Sequence, residues 1–238
     1  MNVVVVLFHK LFAKFNKYTV AVSRITKFVC ENFYSIPISK VIYNVLPYSS
    51  HSFITKHTNS IKDENSICYI GRVIREKGVE LICSGVEKLR KDQDRKIIFN
   101  VMGGGELLNI LKIKYNHPDN HFFGYVDDKT KVEVLAKSKV FISLHPAEPF
   151  GVTSLEASAM NCICCLSTIG GHIEFVQKEQ LVLIKDVEDV NEIAASLKLS
   201  LAIAKSTSFN VTNPYFDNPG LYYKKYANSF LELLNESK

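Results

Sequence analysis

The sequence predicts an α/β fold in which a doubly wound parallel sheet carries a small N-terminal remnant of a second domain. From residue 66 onward, short apolar runs alternate with amphipathic stretches. The apolar runs lack polar residues at alternate positions, so we expect strands that are buried on both faces. Buried strands joined by helices form parallel sheets. The first 65 residues contain only two strand-like runs, too few to bury a core of their own.

Residues 1–46 are therefore predicted to be the end of another domain, one that leans on the main sheet. Within them the pattern predicts a helix to about Lys17, a strand over YTVAV (18–22), a helix from Ser23 and a strand over KVIYNV (40–45). Residues 47–65 are polar and are predicted to be a linker.

Residues 66–205 are predicted to form the main domain. Its strands are six apolar runs: SICYIG (66–71), KIIFNVM (96–102), HFFGYV (121–126), VFISL (140–144), CICCL (162–166) and LVLI (181–184). The helix predicted from Lys77 to about Lys91 aligns its apolar residues on one face, namely Val79, Ile82, Val86 and Leu89. Further helices are predicted after GGGE, from Asp127 to Lys137 with an acidic first turn, and from about Gly151.

The remaining residues, 206–238, are predicted to be a tail followed by a helix. An apolar stripe recurs every four residues in that helix, at Tyr222, Tyr226, Phe230 and Leu234. Such a stripe needs a partner surface, and we expect it to lie against the N-terminal segment.

Composition limits the function classes. The chain has 238 residues, 47% of them hydrophobic, but no apolar run approaches the ~18 residues that cross a bilayer. The N-terminal VVVVLF has neither the basic flank nor the cleavage site of a signal peptide, so a cytoplasmic protein is expected. Zinc sites use pairs of C-x-x-C motifs, whereas the pattern of CICCL (162–166) is typical of a buried strand. Reduced thiols in the core are therefore expected, with a metal site or a disulfide as the minor alternative.

The net charge of +5 is unevenly distributed. Residues 1–60 hold seven Lys or Arg and one acid, which gives +6 and leaves −1 for the other 178 residues. This asymmetry indicates either a surface that meets an anionic membrane or an ordinary solvated basic face. Nucleic acid is not expected as a partner, because the basic residues form no dense cluster with aromatic residues.

The stretch EPFGVTSLE, residues 148–156, places a carboxylate on each side of a helix start. The exposed N–H groups at a helix start bind anions, and Gly151 lets a phosphate approach the backbone. Glu148 and Glu156 would then flank that anion and accept hydrogen bonds from a sugar and a ribose. The alternative is that both glutamates only interact favourably with the helix dipole.

Four more motifs follow strand ends, where a parallel sheet collects ligand-binding residues at one edge. GRVIREKG supplies Arg72 and Lys77, two cations that could clamp a diphosphate. The others are GGGE (103–106), FGYV (123–126) and IGGHIEFV (169–176).

The order of these motifs resembles the donor domain of the retaining family-4 glycosyltransferases. The matching pattern is G-R…K-G, strand-G-G-G, F-G-Y-V, E-P-F-G-V-x-x-x-E-A and G-G-H-x-E, over about residues 66–185. The resemblance implies the GT-B fold, two facing Rossmann-like domains, of which this chain holds the nucleotide-sugar-binding one. The upstream residues 18–46 are similar to the end of the family's first domain, and the terminal helix to the one that crosses back onto it.

The resemblance also implies residue roles. Glu148, Arg72 and Lys77 match the catalytic positions: the carboxylate beside the donor sugar and the two diphosphate contacts. Glu156 matches the carboxylate that holds the ribose, while Tyr125 and Val126 match the chain beside the base. Further donor-binding positions are Gly71, Gly103, Phe150, Gly151, Val152 and Thr153. Asn161 and Ile163 depart from the family's Gly and Pro-Val, a mild change at the first position because Asn tolerates a left-handed backbone.

The implied function is transfer of a sugar, with retention, from a nucleotide-sugar to a glycan or lipid-linked acceptor, in surface polysaccharide synthesis. No metal and no other cofactor are expected, since the two cations can neutralise the diphosphate. The protein would work in the cytoplasm, at the inner face of a membrane if the basic segment binds one. Because most of the first domain is missing, a separate acceptor domain or self-association is expected.

Three alternatives remain open. A dehydrogenase needs G-x-G-x-x-G, but Gly103-Gly104-Gly105 is followed by Glu106, Leu107 and Leu108. A nucleotide-sugar epimerase shares the two-domain fold, which alone does not separate the two activities. The strongest rival is a catalytically impaired remnant or subunit that still binds nucleotide but requires an acceptor domain from elsewhere.

Overall fold

The computed structural model describes residues 18–46, 60–94, 96–206 and 219–235. Two parallel sheets lie in these ranges, one of six strands and one of two, which confirms the predicted fold class. The strands are β1 (Val20–Ala21), β2 (Lys40–Val41), β3 (Ser66–Ile70), β4 (Ile98–Met102), β5 (Asn120–Gly124), β6 (Val140–Ser143), β7 (Ile163–Ser167) and β8 (Leu181–Ile184). The large sheet has the order β5-β4-β3-β6-β7-β8.

The helices are α1 (Arg24–Phe33), α2 (Val79–Gln93), α3 (Leu108–Lys114), α4 (Asp128–Lys137), α5 (Val152–Ala159), α6 (Val190–Ser206) and α7 (Pro219–Asn235). Helices α2 to α6 cover both faces of the large sheet. Residues of α2, α3 and α6 share one core layer, and residues of α4 and α5 share the other. Successive side chains of a strand point to opposite faces of the sheet. Ile67 and Tyr69 therefore belong to the first core layer, and Cys68 belongs to the second.

Helix boundaries follow local backbone chemistry. The helix predicted from Lys77 begins two residues later, at Val79, because Gly78 adopts a left-handed φ of 65° after a short 3-10 turn. Asp127 caps α4 by accepting a hydrogen bond from the Thr130 N–H at 2.8 Å. Ser23 caps α1 by accepting from the Thr26 N–H at 3.1 Å. Asn161 has φ 56°, the left-handed backbone that the sequence predicted there.

The N-terminal segment, residues 18–46, forms a small unit of its own. Strands β1 and β2 pair in parallel, with α1 as their crossover. Each strand has two residues, shorter than the runs 18–22 and 40–45 that were predicted. The helix predicted before Lys17 and most of the linker lie outside the described residues. The division of the chain into domains stays a prediction.

Helix α7 contacts this segment, as the sequence suggested. Lys40 and Glu232 form an ion pair at 2.6 Å, and the Tyr223 hydroxyl donates to the Leu46 carbonyl. The predicted stripe is not the buried face, however: Phe230 and Leu234 are 37% and 59% exposed, whereas Leu233 is 4% exposed. A four-residue repeat rotates by about 40° at each step of an α-helix, so the stripe leaves the interface. The Tyr222 side chain lies outside the described residues.

Five of the six cysteines are buried, as expected for core thiols, while Cys30 is half-buried. Burial raises the pKa of Cys83 and of Cys165 to about 12, so these thiols stay protonated at neutral pH. Among the described residues, no helix has the length and apolar character that a membrane span requires.

The carboxyl ends of β3, β4 and β5 meet through backbone contacts at glycines. The Gly71 N–H donates to the Met102 carbonyl at 3.0 Å, and the Gly103 N–H donates to the Gly124 carbonyl at 2.7 Å. A Cβ atom on Gly103 would lie 1.9 Å from the Gly71 oxygen, closer than any side chain tolerates. Gly103 also has φ 133°, which disfavours every other residue.

We predict that Gly103→Ala lowers the free energy of unfolding by at least ~2 kcal/mol, because the new methyl group collides with the Gly71 carbonyl in a strained backbone. Urea denaturation of both proteins measures it. The control is Gly104→Ala, since a Cβ there meets no atom within 4 Å. Equal stability of the two variants would contradict the proposed close contact.

Candidate functional site

A cavity opens at the point where the strand order reverses, between β3 and β6. The chain leaves β3 toward α2 on one face of the sheet and leaves β6 toward α5 on the other face. Loops that diverge in this way leave a crevice at the carboxyl edge, where such sheets bind ligands. The cavity measures about 400 Å³.

Eight of the twelve donor-binding residues predicted from the sequence line this cavity: Gly71, Arg72, Lys77, Glu148, Phe150, Gly151, Val152 and Thr153. The other four, Gly103, Tyr125, Val126 and Glu156, are not part of its lining. Tyr125 follows β5, two strands away, and is 91% exposed. The structure thus brings together the residues predicted for the diphosphate and the sugar, and leaves those predicted for the nucleoside outside this cavity.

Lys77 and Glu148 face each other across the cavity. The Lys77 Nζ lies 2.9 Å from the Glu148 Oε2, and both side chains are partly buried, at 18% and 23% exposure. The pair joins the loop after β3 to the loop after β6. Its partial exposure leaves both groups accessible to a ligand.

His145 lies three residues before Glu148 in the β6 loop. Its Nδ1 accepts a hydrogen bond from the Ala147 N–H at 3.0 Å. Burial lowers the pKa of His145, and the nearby positive charge of Lys77 lowers it further. His145 is therefore neutral at pH 7.

Gly151 forms the N-cap of α5 with a left-handed φ of 87°. A Cβ atom there would lie 2.6 Å from the Cβ of His172, so only glycine fits between the helix start and His172. Val152 and Thr153, the first two residues of α5, line the cavity. The first N–H groups of a helix have no partner within the helix, and they attract anions.

His172 packs against Gly151 at the start of α5. It is fully buried, and its Nε2 lies 3.0 Å from the Ser167 carbonyl oxygen. Burial lowers the pKa of His172, so the ring is neutral and its Nε2–H donates to Ser167. The Nδ1 atom has no hydrogen-bond partner among the described residues.

Phe150 lines the cavity, but most of its side chain packs into the core. Phe150 is 3% exposed, and its ring packs 4.5 Å from that of Phe175 and 6.3 Å from that of Tyr43. The residue is apolar and lies between two other aromatic rings, so burial in the core is favoured over contact with a polar ligand. Its main contribution is to anchor the loop that carries Glu148 and Gly151.

Glu156 lies outside the cavity lining, although its predicted role is to hold a ribose. The sequence placed it in the same cleft as Glu148, but its side chain is 1% exposed and ion-paired with Lys131 at 2.7 Å. Lys131 lies on α4 and also contacts Asp128 at 3.0 Å. Burial alone would lower the pKa of Lys131, but the contacts with Glu156 and Asp128 together outweigh burial, so the pKa is raised and the ammonium stays charged. The face of α5 that bears Glu156 is turned toward α4.

Several residues at the site were not found by sequence reasoning. The Tyr69 hydroxyl donates to the Arg72 carbonyl at 2.8 Å and fixes the turn that presents Arg72. Val22 and Asn44 line the cavity from the N-terminal segment. The sequence offered one sign of Lys131, because this lysine lies at an otherwise apolar spacing in a predicted helix. The others depend on contacts distant in sequence.

Glu174 joins the N-terminal segment to the main domain. Its two carboxylate oxygens accept hydrogen bonds from the Arg24 and Ile25 N–H groups, each at 3.0 Å, and from the Tyr43 hydroxyl at 2.8 Å. A carboxylate at a helix start is also favoured by the helix dipole. This explains the glutamate of IGGHIEFV, which therefore holds α1 in place.

A second, mainly apolar cavity of about 730 Å³ lies beside the first. The N-terminal segment forms one wall, including Val20, Ile25 and Tyr34. The β6 loop forms the other, and Glu148 and Pro149 border both cavities. Among the described residues, no cluster of three or more His, Cys, Asp or Glu side chains is placed to hold a metal ion.

We predict that Lys131→Met lowers the free energy of unfolding by about 3–5 kcal/mol, because it leaves the Glu156 carboxylate buried without its cation. Chemical denaturation at pH 7 measures the loss. The double variant Lys131→Met/Glu156→Leu should recover much of the stability, since no buried charge remains.

The matched control is Lys129→Met on the same helix, whose ion pair with Glu133 is exposed and 3.9 Å long. Its effect should stay within about 0.5 kcal/mol. Equal losses from the two lysine variants would show that Lys131 is not the partner that compensates the charge of Glu156.

A family model described as Glycosyl transferases group 1 matches residues 51–207. Two curated proteins of Methanocaldococcus jannaschii are similar in sequence. The uncharacterized glycosyltransferase MJ1069 is 32% identical over 163 residues, 66% of this chain and 41% of that protein. The uncharacterized glycosyltransferase MJ1607 is 27% identical over 121 residues, 49% of this chain and 30% of that protein. The matches thus span less than half the length of either relative.

Solved structures share the fold. Alr3699/HepE from Anabaena, in complex with UDP and glucose, has a TM-score of 0.68 at 15% identity, over 96% of this chain and 66% of that one. The pneumococcal O-GlcNAc transferase GtfA, in complex with UDP and GlcNAc, has a TM-score of 0.66 at 14% identity, over 95% of this chain and 47% of that one.

Proposed function

The chain belongs to the group 1 glycosyltransferase family, and we propose that it binds a nucleotide-sugar in the 400 Å³ cavity and transfers the sugar, with retention, to a glycan or lipid-linked acceptor. The observation that carries the proposal is the convergence of Arg72, Lys77 and the start of α5 on that one cavity. Two cations and a helix start make a site for a diphosphate. The bound UDP in the structures of HepE and GtfA is consistent with such a donor.

Arg72 and Lys77 act on the leaving group in this proposal. When the bond between the sugar and the diphosphate breaks, negative charge develops on the diphosphate oxygens. Fixed cations and N–H dipoles stabilise that charge more than they stabilise the ground state, which lowers the barrier. The two side chains supply this stabilisation with protein groups alone, so the proposed reaction uses no metal.

In this proposal, donor binding gives Lys77 and Glu148 new partners. An incoming diphosphate offers Lys77 a second anionic partner, and sugar hydroxyls offer Glu148 hydrogen-bond donors. Both side chains are partly exposed and can exchange one partner for the other without the full cost of a buried charge. The ion pair thus holds the two residues in position before the donor arrives.

The nucleoside would extend toward the carboxyl ends of β4 and β5, past Gly103 to Tyr125 and Val126. Tyr125 is 91% exposed, so its ring is available to a base. Glu156 would hold the ribose, as the family resemblance implies, but it must first become accessible, since its side chain is 1% exposed.

We place the acceptor side of the proposed site next to Glu148. The mainly apolar 730 Å³ cavity lies beside Glu148, where the rest of an acceptor domain or a second molecule would complete the cleft. We therefore propose that a separate acceptor domain, self-association or a membrane surface completes the site at the cytoplasmic face, in polysaccharide synthesis. The alternative is a nucleotide-binding subunit that is inactive alone.

Calorimetry with UDP, GDP and ADP tests the proposed donor site. We expect one of them to bind, and Arg72→Ala to weaken that binding by about 1.5–3 kcal/mol, the usual contribution of a charge-assisted hydrogen bond. The control is Arg75→Ala, an exposed arginine of the same loop that does not line the cavity. It should bind like the wild type.

Two results would refute this assignment. If none of the three nucleotides binds at millimolar concentration, the donor-site proposal fails. If Arg72→Ala and Arg75→Ala bind equally well, the positive charge of Arg72 is not part of the site.

We predict that the chain alone transfers or hydrolyses donor sugar very slowly, because positioning of the acceptor supplies much of the rate. Light scattering and a donor-hydrolysis assay on the same sample measure both properties. Self-association together with weak hydrolysis is the expected result. A monomer that transfers sugar rapidly would show that this short chain builds its own acceptor site.

A further inference from the structure

We infer that Asn44 is an additional donor-binding residue, whose side-chain amide donates a hydrogen bond to the diphosphate of the bound nucleotide-sugar. The inference rests on the proposed function and adds a group that the N-terminal segment contributes. It implies that this segment forms part of the donor site as well as of the acceptor side.

The location of Asn44 supports this role. Asn44 lines the same cavity as Arg72, Lys77 and the start of α5, although it belongs to the segment that precedes the main domain. Among the described residues, that segment contributes only Val22 and Asn44 to the lining. Val22 is apolar, so Asn44 is the polar side chain on this wall.

The backbone at Asn44 is held by its neighbour. The Tyr43 hydroxyl donates to Glu174 at 2.8 Å, and the Tyr43 ring packs 6.3 Å from that of Phe150. Glu174 also accepts from the first N–H groups of α1. Asn44 therefore starts from a fixed position, which reduces the entropy lost when a side chain orders around a ligand.

The chemistry of an amide suits this wall. Arg72 and Lys77 already supply positive charge, and Glu148 supplies a negative charge that a second acid would reinforce. An asparagine has two N–H donors and adds no charge, so it can donate to a phosphate oxygen without disturbing that balance. Its amide makes no hydrogen bond to another side chain or backbone group in the described part of the chain. Its donors are thus available to a ligand.

The test compares Asn44→Ala and Asn44→Asp with the wild type. UDP, GDP and ADP are titrated by calorimetry, and the tightest is then used for all variants. We expect Asn44→Ala to weaken binding about ten- to hundredfold, the range for one hydrogen bond to a charged acceptor. Asn44→Asp should weaken it more, because its carboxylate repels the diphosphate while its shape is unchanged. The controls are Asn228→Ala and Asn228→Asp, at an exposed position of α7 outside the cavity.

Thermal unfolding separates a binding effect from a folding effect. Without nucleotide, both Asn44 variants should unfold at the wild-type Tm, because the residue is half-buried and does not belong to the core. With nucleotide, their Tm should rise less than that of the wild type. A lower Tm without nucleotide, together with an unchanged nucleotide-induced shift, would indicate a structural role and overturn the inference.

The remaining outcomes are also decisive. If the wild type binds a nucleotide and both Asn44 variants bind it like the Asn228 variants, the inference fails while the proposed function stands. If Asn44→Asp binds as tightly as the wild type and only Asn44→Ala is weak, the amide N–H is not the donor, and the inference is again overturned. If the wild type binds none of the three nucleotides, the proposed function fails and this inference fails with it.

Discussion

The contact between Gly71 and Gly103 sets the geometry on which the rest of the site depends. The two backbones approach so closely that a Cβ on Gly103 would lie 1.9 Å from the Gly71 oxygen. This brings the ends of β3 and β4 together and starts the loop that carries Arg72 and Lys77 at a fixed point. The Tyr69 hydroxyl then holds the Arg72 carbonyl at 2.8 Å. A rigid loop after β3 lets the cations face the start of α5 across the strand-order reversal.

The two glutamates of EPFGVTSLE have different environments, although seven positions separate them along one short stretch. Glu148 is 23% exposed and shares a cavity with Lys77, while Glu156 is 1% exposed beside Lys131. Each carboxylate therefore has a lysine partner, but only the first pair is accessible to a ligand. A partly exposed pair exchanges partners at modest cost, whereas a buried pair mainly fixes the two helices that it joins.

Glu174 gives the N-terminal segment its place in the molecule. Its carboxylate accepts hydrogen bonds from the first N–H groups of α1 and from the Tyr43 hydroxyl, so a single side chain orients both a helix and the chain after a strand. The segment would otherwise contribute only a two-stranded sheet, which is too small to be stable alone. Through this contact it forms walls of both cavities, and Glu148 borders each of them.

The parallel sheet, its strands within a few residues, and the motifs at its carboxyl edge could be predicted from the sequence, because hydrophobic periodicity and glycine positions are local properties. Arg72, Lys77, Glu148 and Gly151 could be predicted to lie at that edge, since each belongs to a motif at a strand end. Which of these residues share a cavity became clear from the folded chain. That Glu156 turns toward another helix, and that the N-terminal segment reaches the 400 Å³ cavity, depends on packing between residues far apart in the chain, which no local pattern encodes.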